Sequence, residues 1–312
     1  MRILVTGGAG YIGSHFCKAA AQAGHAPVVY DDLSTGHREF VKWGPLVQGD
    51  IRDTRKVSEA LTEHKVDAVV HFAAKSLVAE SMKFPELYDN NNRLGTKSVL
   101  AAMRLAGVGR FVFSSSAATY GVADVPRIRE DHPQKPVNPY GQSKLDSEML
   151  VRDTPAIKSA LLRYFNVIGH DPGGELFENH NPETHLLPNI LKGLKEGKTF
   201  ELFGTDYPTP DGTAVRDYVD VNDLGLAHLR ALERLEKESL LVSNVGSGRG
   251  YSVREVFDTF AKVVGRAPKL AEKPRRPGDP PQLVADDSYF RTWYQGSMRG
   301  LEESIRSLVK PT

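Results

Sequence analysis

In the first half of the chain, short apolar runs rich in Val and Ile alternate with stretches whose apolar residues recur every three or four positions. This pattern predicts strands over 2–6, 26–30, 66–72, 110–114 and 158–163 and helices over 12–23, 57–64, 94–106 and 140–151, with a further β-like run just before Asp50. Strand-helix repetition implies right-handed crossovers and a buried parallel sheet with helices on both faces. After about Asn166 the alternation breaks. Asp171-Pro172-Gly173-Gly174 and Tyr207-Pro208-Thr209-Pro210-Asp211-Gly212 are turn-rich, and the 274–281 segment is proline-locked. The expectation is two unequal lobes, residues 1–165 and 166–312, with the short β-like run 240–244 returning the chain to the main sheet, so that 217–245 rejoins the first lobe.

Composition narrows the classes. A chain of 312 residues with 40% hydrophobic content can bury a large core, and 40 Lys and Arg against 39 Asp and Glu leave a net charge of +1. No global field recruits nucleic acid or an anionic membrane, so any phosphate must be gripped locally. The apolar run at the N-terminus is too short for a signal peptide, and no stretch of 18 apolar residues occurs. A lone cysteine, Cys17, forms no internal disulfide and reads as a buried thiol in the first helix. The expected compartment is the cytoplasm.

Chemistry enters with Thr6-Gly7-Gly8-Ala9-Gly10-Tyr11-Ile12-Gly13, directly after the first strand and opening the first helix. Gly7 allows a tight turn, Gly10 a close approach of a pyrophosphate to the backbone, and Gly13 close helix–strand packing, while the helix N-terminus faces the anion. The second strand ends at Asp31, 18 residues past Gly13 and near the spacing expected of a ribose-binding acid. A carboxylate there accepts from a ribose 2′-hydroxyl and repels a 2′-phosphate, which favours NAD over NADP. Asp32 reads more readily as a solvated turn residue than as a ligand. Asp50-Ile51 reads either as flanking the adenine or as a helix N-cap.

Tyr140 and Lys144 stand four apart, on one face of a predicted helix. A phenol near pKa 10 is a poor base at neutral pH, and an adjacent ammonium favours the phenolate. Tyr-x-x-x-Lys is common by chance, but upstream the fourth long strand runs into Ser114-Ser115-Ser116, placing hydroxyls at the edge of a parallel sheet where ligands bind. Helix caps and turn bonds are the plainer readings of those serines.

These blocks, together with His71-Phe72-Ala73-Ala74, Arg163-Tyr164-Phe165-Asn166, the 212–218 segment and Pro274-Arg275-Arg276-Pro277-Gly278-Asp279, resemble the UDP-glucose 4-epimerases of the extended short-chain dehydrogenase superfamily over nearly the whole chain. The first blocks are shared by many relatives, and the last three narrow the resemblance to UDP-sugar enzymes. The resemblance implies an α/β, Rossmann-type doubly wound parallel sheet with a smaller C-terminal α/β substrate domain: an NAD-binding domain over 1–165 and a UDP-sugar-binding domain over 166–312. It implies tightly bound NAD, a UDP-hexose substrate and a homodimer formed near the Leu94 and Tyr140 helices. Tyr140 would take the 4-hydroxyl proton as the C4 hydride passes to the nicotinamide, with Ser116 bonded to the same oxygen and Lys144 holding the nicotinamide ribose. The 4-keto sugar would turn over and take the hydride back on its other face.

Tyr11, Ile12, Phe72, Ala73, Ala74, Lys75, Asn92, Ser114 and Tyr164 would line the cofactor. Arg216 and Arg276 would meet the diphosphate, since guanidinium forks suit phosphate oxygens, although surface arginines are the plainer reading of either alone. Asn166 would reach the diphosphate side, His185, Leu186 and Phe203 the uridine, and Asp279 the uridine ribose. Three positions depart from the common pattern. Val167 replaces a frequent proline, His185 a frequent asparagine, and Leu283 is intermediate between the bulky aromatic of plain-hexose enzymes and the small residue of those admitting N-acetyl sugars. Related readings are therefore a UDP-N-acetylglucosamine or UDP-pentose 4-epimerase. A 4,6-dehydratase would carry an Asp-Glu pair where Ala117-Ala118 stands, and an NAD-sensing binding protein would have lost Tyr140 or Lys144. No metal is expected: His180 and His185, in a Pro- and Asn-rich loop, read as lacking further ligands at metal-like spacing.

Overall fold

The computed structural model describes residues 1–276 and 279–309; Pro277 and Gly278 of the proline-rich segment lie outside the described residues. In chain order the strands are β1 (Arg2–Thr6), β2 (Ala26–Asp31), β3 (Leu46–Gln48), β4 (Ala68–His71), β5 (Arg110–Ser116), β6 (Lys158–Tyr164), β7 (Asn166–Ile168), β8 (Phe200–Phe203), β9 (Val215–Asp220), β10 (Leu240–Val245), β11 (Gly250–Ser252), β12 (Leu270–Lys273) and β13 (Gln282–Leu283). The α-helices are α1 (Tyr11–Gln22), α2 (Thr54–Glu63), α3 (Val78–Lys83), α4 (Pro85–Tyr88), α5 (Gly95–Ala106), α6 (Pro139–Arg152), α7 (Leu186–Glu196), α8 (Val221–Arg234), α9 (Val253–Val264), α10 (Ser288–Trp293) and α11 (Leu301–Leu308).

The main sheet has seven strands in the order β10-β6-β5-β4-β1-β2-β3, all parallel. Its order reverses between β1 and β4, which opens a crevice at their C-terminal ends. Side chains alternate between two cores, as the period of a strand demands. Ile3, Val5, Val70, Val112 and Leu162 pack on the side of α1 and α8 with Phe16, Leu224 and Ala227. Leu4, Val69, Phe111, Phe113 and Leu161 pack on the other side with Val57, Val99, Met103 and Val151.

Local chemistry fixes the helix starts. Asp53 caps α2 by accepting from Lys56 N–H at 3.0 Å, and Asn138 caps α6 by accepting from Gly141 N–H at 2.8 Å with Pro139 in the first turn. Ser252 and Glu255 form a reciprocal capping box on α9. The helix expected over 94–106 begins at Gly95 and is preceded by a widened π-helical turn over Asp89–Leu94. Strand β5 extends two residues beyond expectation because Ser115 and Ser116 pair with Arg163 and Tyr164 of β6.

The second lobe has its own core of Ile168, Leu187, Ile190, Leu202, Tyr218, Phe257, Phe260 and Ile305. There β9 sits between β11 and β13 and also pairs with β7, while β8 pairs with β12. Strand β10 returns to the main sheet beside β6, and Phe290, Trp293 and Tyr294 from the region of α10 join the first core.

Candidate active site

The glycine loop sits at the crevice. Gly7 has φ +71°, and a Cβ there would lie 2.6 Å from the Ala73 nitrogen; one at Gly13 would lie 2.2 Å from the Gly7 oxygen. Close backbone contact thus forces both glycines. A Cβ at Gly10 would meet only the Gly7 oxygen, at 3.3 Å, which leaves the N-terminus of α1 open to an anion. Tyr11 and Ile12 open that helix, and the Tyr11 hydroxyl donates to Gly169 O at 2.5 Å.

Asp31, at the end of β2, accepts from Ala9 N–H at 3.0 Å and Leu33 N–H at 2.9 Å, and burial raises its pKa while these bonds oppose the rise. Its carboxylate is thereby tied to the glycine loop. Asp32 caps a turn by accepting from Ser34 N–H at 2.8 Å. Asp50 is held by Arg52, whose Nε donates to both its oxygens at 2.9 and 3.0 Å. Its alternative reading as the cap of α2 is corrected: Asp53 takes that place, because it lies at the helix boundary. The Ile51 side chain belongs to the second face of the core, against Gly95, so what it can offer a ligand is backbone.

At the end of β4, the buried ring of His71 lies between Thr6 Oγ1, at 2.6 Å, and Thr96 Oγ1, at 3.2 Å; burial pushes its pKa down to about 3. Phe72 packs on His228 with ring centroids 4.7 Å apart, and Ala73 N–H donates to Thr6 O at 3.1 Å. Asn92 accepts from Lys75 N–H at 2.8 Å and donates to Lys75 O and Ser143 Oγ, each at 2.9 Å. The 72–75 segment, including Ala74, is therefore fastened both to the glycine loop and to α6.

Tyr140 and Lys144 are both buried on the face of α6 that meets β5. Lys144 Nζ donates to Ser114 O at 2.7 Å and lies 5.0 Å from the centre of the Phe113 ring. Ser114 Oγ lies 2.7 Å from the Tyr164 hydroxyl. Burial raises the Tyr140 pKa, and the opposing pull is hydrogen bonding from Ser116. Burial also pushes Lys144 down to about 7, against the pull of Glu148. Desolvation is thus the largest influence on both groups, ahead of the Ser116 hydrogen bond to the phenol and of the Glu148 charge near the lysine. Ser116 Oγ accepts from Ala118 N–H at 3.1 Å, which orients the hydroxyl.

On the facing lobe, the Arg216 side chain is 9% exposed and pairs with Asp279, while also donating to Pro280 O and Val215 O at 2.7 Å. Leu283 stands opposite Arg216 in register and packs against the cluster of Ala117, Tyr120, Ile128, Phe165 and Ala285, whose first member follows the triple serine. Arg276 lies 4.2 Å from the centre of the Phe203 ring. Asn166 opens β7 with its side chain exposed. His185 precedes α7 and Leu186 opens it, packing against the core of the second lobe. Burial opposes charge on His185, but hydrogen bonds to Glu178 and Glu183 push its pKa up to about 10.

Sequence reasoning missed two groups. Arg163 and Glu148, each 1% exposed, form an ion pair at 2.7 Å; Arg163 also donates to Tyr120 Oη at 2.8 Å, and Tyr120 donates to Asn244 of β10 at 2.7 Å. A lone arginine in an apolar strand was the available signal. The second group is Glu178 and Glu183, which converge on His180 and His185 and so correct the reading that those histidines lack neighbours of ligand type. The Glu-x-His-x-x-Glu-x-His spacing was visible, but only folding of the loop shows that all four side chains turn inward.

A glycine cradle after β1, an acid at the end of β2 and a Tyr/Lys/Ser group beside the end of β5 all lie at the C-terminal edge of the main sheet, around its topological switch point. The model of the NAD dependent epimerase/dehydratase family matches residues 3–246. This chain belongs to that family. It is 47% identical over 296 residues to the UDP-glucose 4-epimerase of Rhizobium meliloti, an alignment covering 93% of this chain and 90% of that protein. The structure is similar to that of UDP-glucose 4-epimerase from Brucella ovis in complex with NAD, with TM-score 0.95 and 44% identity over 98% of this chain and 96% of that one. It is similar also to the Stenotrophomonas maltophila UDP-glucose-4-epimerase with bound NAD and formylated UDP-arabinopyranose, with TM-score 0.95 and 37% identity over 98% and 96% of the two chains. The family's NAD dependence agrees with the cradle at Gly7, Gly10 and Gly13 and with the Asp31 carboxylate.

Proposed function

We propose that this chain catalyses NAD-dependent 4-epimerisation of a UDP-hexose, interconverting UDP-galactose and UDP-glucose, with Tyr140, Ser116 and Lys144 as the reacting group. The observation that carries this reading is the placement of the buried Tyr140 phenol and the Ser116 hydroxyl at the sheet edge where the glycine cradle opens. Bound NAD supplies a hydride acceptor that later returns the hydride to the sugar. Tyr140 takes the proton from the sugar 4-hydroxyl and returns it to the same oxygen when the turned 4-keto sugar takes hydride back at C4 on its opposite face. Ser116, bonded to the same oxygen, holds that oxygen within reach of the phenol. Lys144, fixed by Ser114 O, places a cation beside the cofactor ribose and helps hold the proton balance of Tyr140. Asp31 holds the adenosine ribose, with Asp32, Asp50 and Ile51 at the adenine side.

Turning the sugar requires a loose grip on the hexose and a firm one on the nucleotide. Arg216, Arg276 and Asn166 supply the diphosphate grip; His185, Leu186, Phe203 and Asp279 hold the uridine. For Arg216 this means exchanging part of its bond to Asp279 for phosphate oxygens, which frees Asp279 for the ribose. Leu283, at the edge of the cluster around Phe165 and Ala285, takes up less room than an aromatic would, so a second reading extends the substrates to UDP-N-acetylglucosamine or UDP-pentoses.

NAD-loaded protein given UDP-galactose should form UDP-glucose with no added reductant and no change in bound NAD. A folded, NAD-loaded protein that forms none is not a hexose epimerase. Two copies associate in this reading through the α5 and α6 faces, where Leu94, Leu105 and Met149 are exposed, and light scattering after gel filtration should report twice the chain mass. Among the described residues no helix is long and apolar enough to cross a membrane. We place the activity in the cytoplasm, a placement supported by the buried free thiol of Cys17.

A further inference from the structure

We propose that Glu178, His180, Glu183 and His185 form a closed, four-coordinate site for a divalent transition-metal ion of the zinc type. One ligand atom from each lies within 4.8 Å of all the others. His185 Nδ1 is 2.9 Å from Glu178 Oε1 and 3.1 Å from Glu183 Oε1, while His180 Nδ1 is 3.3 Å from Glu178 Oε1 and 3.9 Å from Glu183 Oε2. Bonds of about 2.0–2.1 Å to a tetrahedral ion place its ligand atoms roughly 3.3 Å apart, which is the middle of this range. Side-chain rotation would draw the four ligand atoms, all within 4.8 Å of one another, onto the ion.

Three further observations point to an ion rather than to a mere ion pair. The Nδ1 of His180 is buried and makes no well-aligned hydrogen bond, although it faces both carboxylates. An orphaned buried nitrogen of this kind costs stability unless something else engages it. Glu178 is 3% exposed and Glu183 10%, so two carboxylates are withdrawn from water at one point. A metal displaces any proton held on the imidazoles, and the −2 charge of the two carboxylates is then balanced by one divalent cation. Two imidazole nitrogens and two carboxylate oxygens suit zinc far better than magnesium or calcium, which prefer oxygen alone.

The position gives the site a task. The His180 ring lies 6.2 Å from that of Tyr11, at the start of α1, and His185 is the residue preceding α7. A metal here clamps the 178–185 loop between the glycine loop and the first turn of α7. Four protein ligands leave no open coordination position, so the role is structural, and no step of the reaction passes through the ion.

The test uses untagged, full-length, NAD-loaded protein, stripped with a chelator, dialysed and offered zinc chloride alone. One zinc per chain should survive gel filtration, and Co²⁺ in its place should give the strong visible absorption of a four-coordinate ion, bleached by zinc. Glu178→Gln and His180→Gln should each weaken zinc affinity by about a hundredfold or more, since changes even outside the ligand set cost 10–100-fold. Wild-type protein that retains no zinc, or variants that retain it undiminished, would overturn the proposal. Should Glu178→Gln fail to fold, His180→Gln decides alone, because that side chain is 26% exposed and its loss is tolerable. Metal content is read independently of turnover, so this result and that for epimerisation are separable.

Discussion

Side chains at the sheet edge and those on the loops facing it are fixed by different forces. At the edge, Lys144, Asn92, Asp31 and Ser116 are each tied to backbone N–H or C=O groups of a neighbouring strand end or loop, and all are buried. On the facing lobe, Arg216 leans on Asp279 as well as on two backbone carbonyls, Arg276 on the Phe203 ring, and His185 on two glutamates. Backbone bonds in a regular sheet leave few alternatives, so the edge is a rigid template. Charge and stacking pairs between loops can exchange partners, which is what gripping and releasing a nucleotide demands. On the proposed function, the reacting groups would thus be held still while the nucleotide-binding groups exchange partners.

The sharpest way to break this contrast is Tyr140→Phe. Loss of the phenolic oxygen should lower kcat by roughly a thousandfold or more, as for other general acid–base groups, with NAD still bound after gel filtration. Wild-type turnover by that variant would remove the edge from the chemistry. Next comes Glu148→Gln, which leaves the Arg163 guanidinium buried and short of its counter-charge. Urea unfolding should register a loss of about 3–5 kcal/mol. Breaking the exposed Arg254–Glu272 pair by Arg254→Gln should cost under about 1 kcal/mol. Equal losses would mean that burial does not separate the two classes of contact.

Acid provides the third probe, again aimed at the edge. Burial holds His71 down to about 3 and His228 down to about 4, below the 6.5 of a free imidazole. Below pH 6.5 the unfolded chain therefore binds protons that the folded chain refuses, so stability falls on acidification and goes on falling until the folded pKa values are reached. From pH 7 to 5 each histidine should account for about 2 kcal/mol, measured as a lower urea midpoint, and His228→Gln should flatten that slope. A stability unchanged between the two pH values would show that these rings accept protons in place. The smallest effect is reserved for the facing lobe: Leu283→Tyr should lower the preference for N-acetylated over plain UDP-hexoses by about tenfold in kcat/KM. Unchanged selectivity would remove Leu283 from the sugar wall.

The same contrast explains what could be seen in the sequence. Strands β1, β2, β5 and β6 were legible because apolar runs between helical patterns have one plausible use, and the glycine loop and Tyr140/Lys144 were legible because their spacing is set by backbone geometry. Arg163 escaped notice as a charge, because a partner 15 residues away in sequence, Glu148, becomes a neighbour only when α6 packs on β6. The helices of the second lobe and the meeting of Glu178 with His180 and His185 were hidden for the same reason: loops between Pro and Gly carry no period from which direction can be read. The spacing of Tyr140 and Lys144 told of the nearby lysine but not of how thoroughly burial would dry both side chains.

The late return of the chain as β10 bears on how the protein is made. Lys144 and Tyr140 leave the ribosome early, but the strand that covers β6, and the Asn244 that receives Tyr120, arrive only after the entire 166–239 excursion has been translated. Until then β6 presents an unprotected ladder, an invitation to sticky encounters between nascent chains. A fragment ending at residue 165 would inherit that hazard permanently, whereas the full chain covers β6 with β10 before α9, β13 and α11 of the second lobe have been translated.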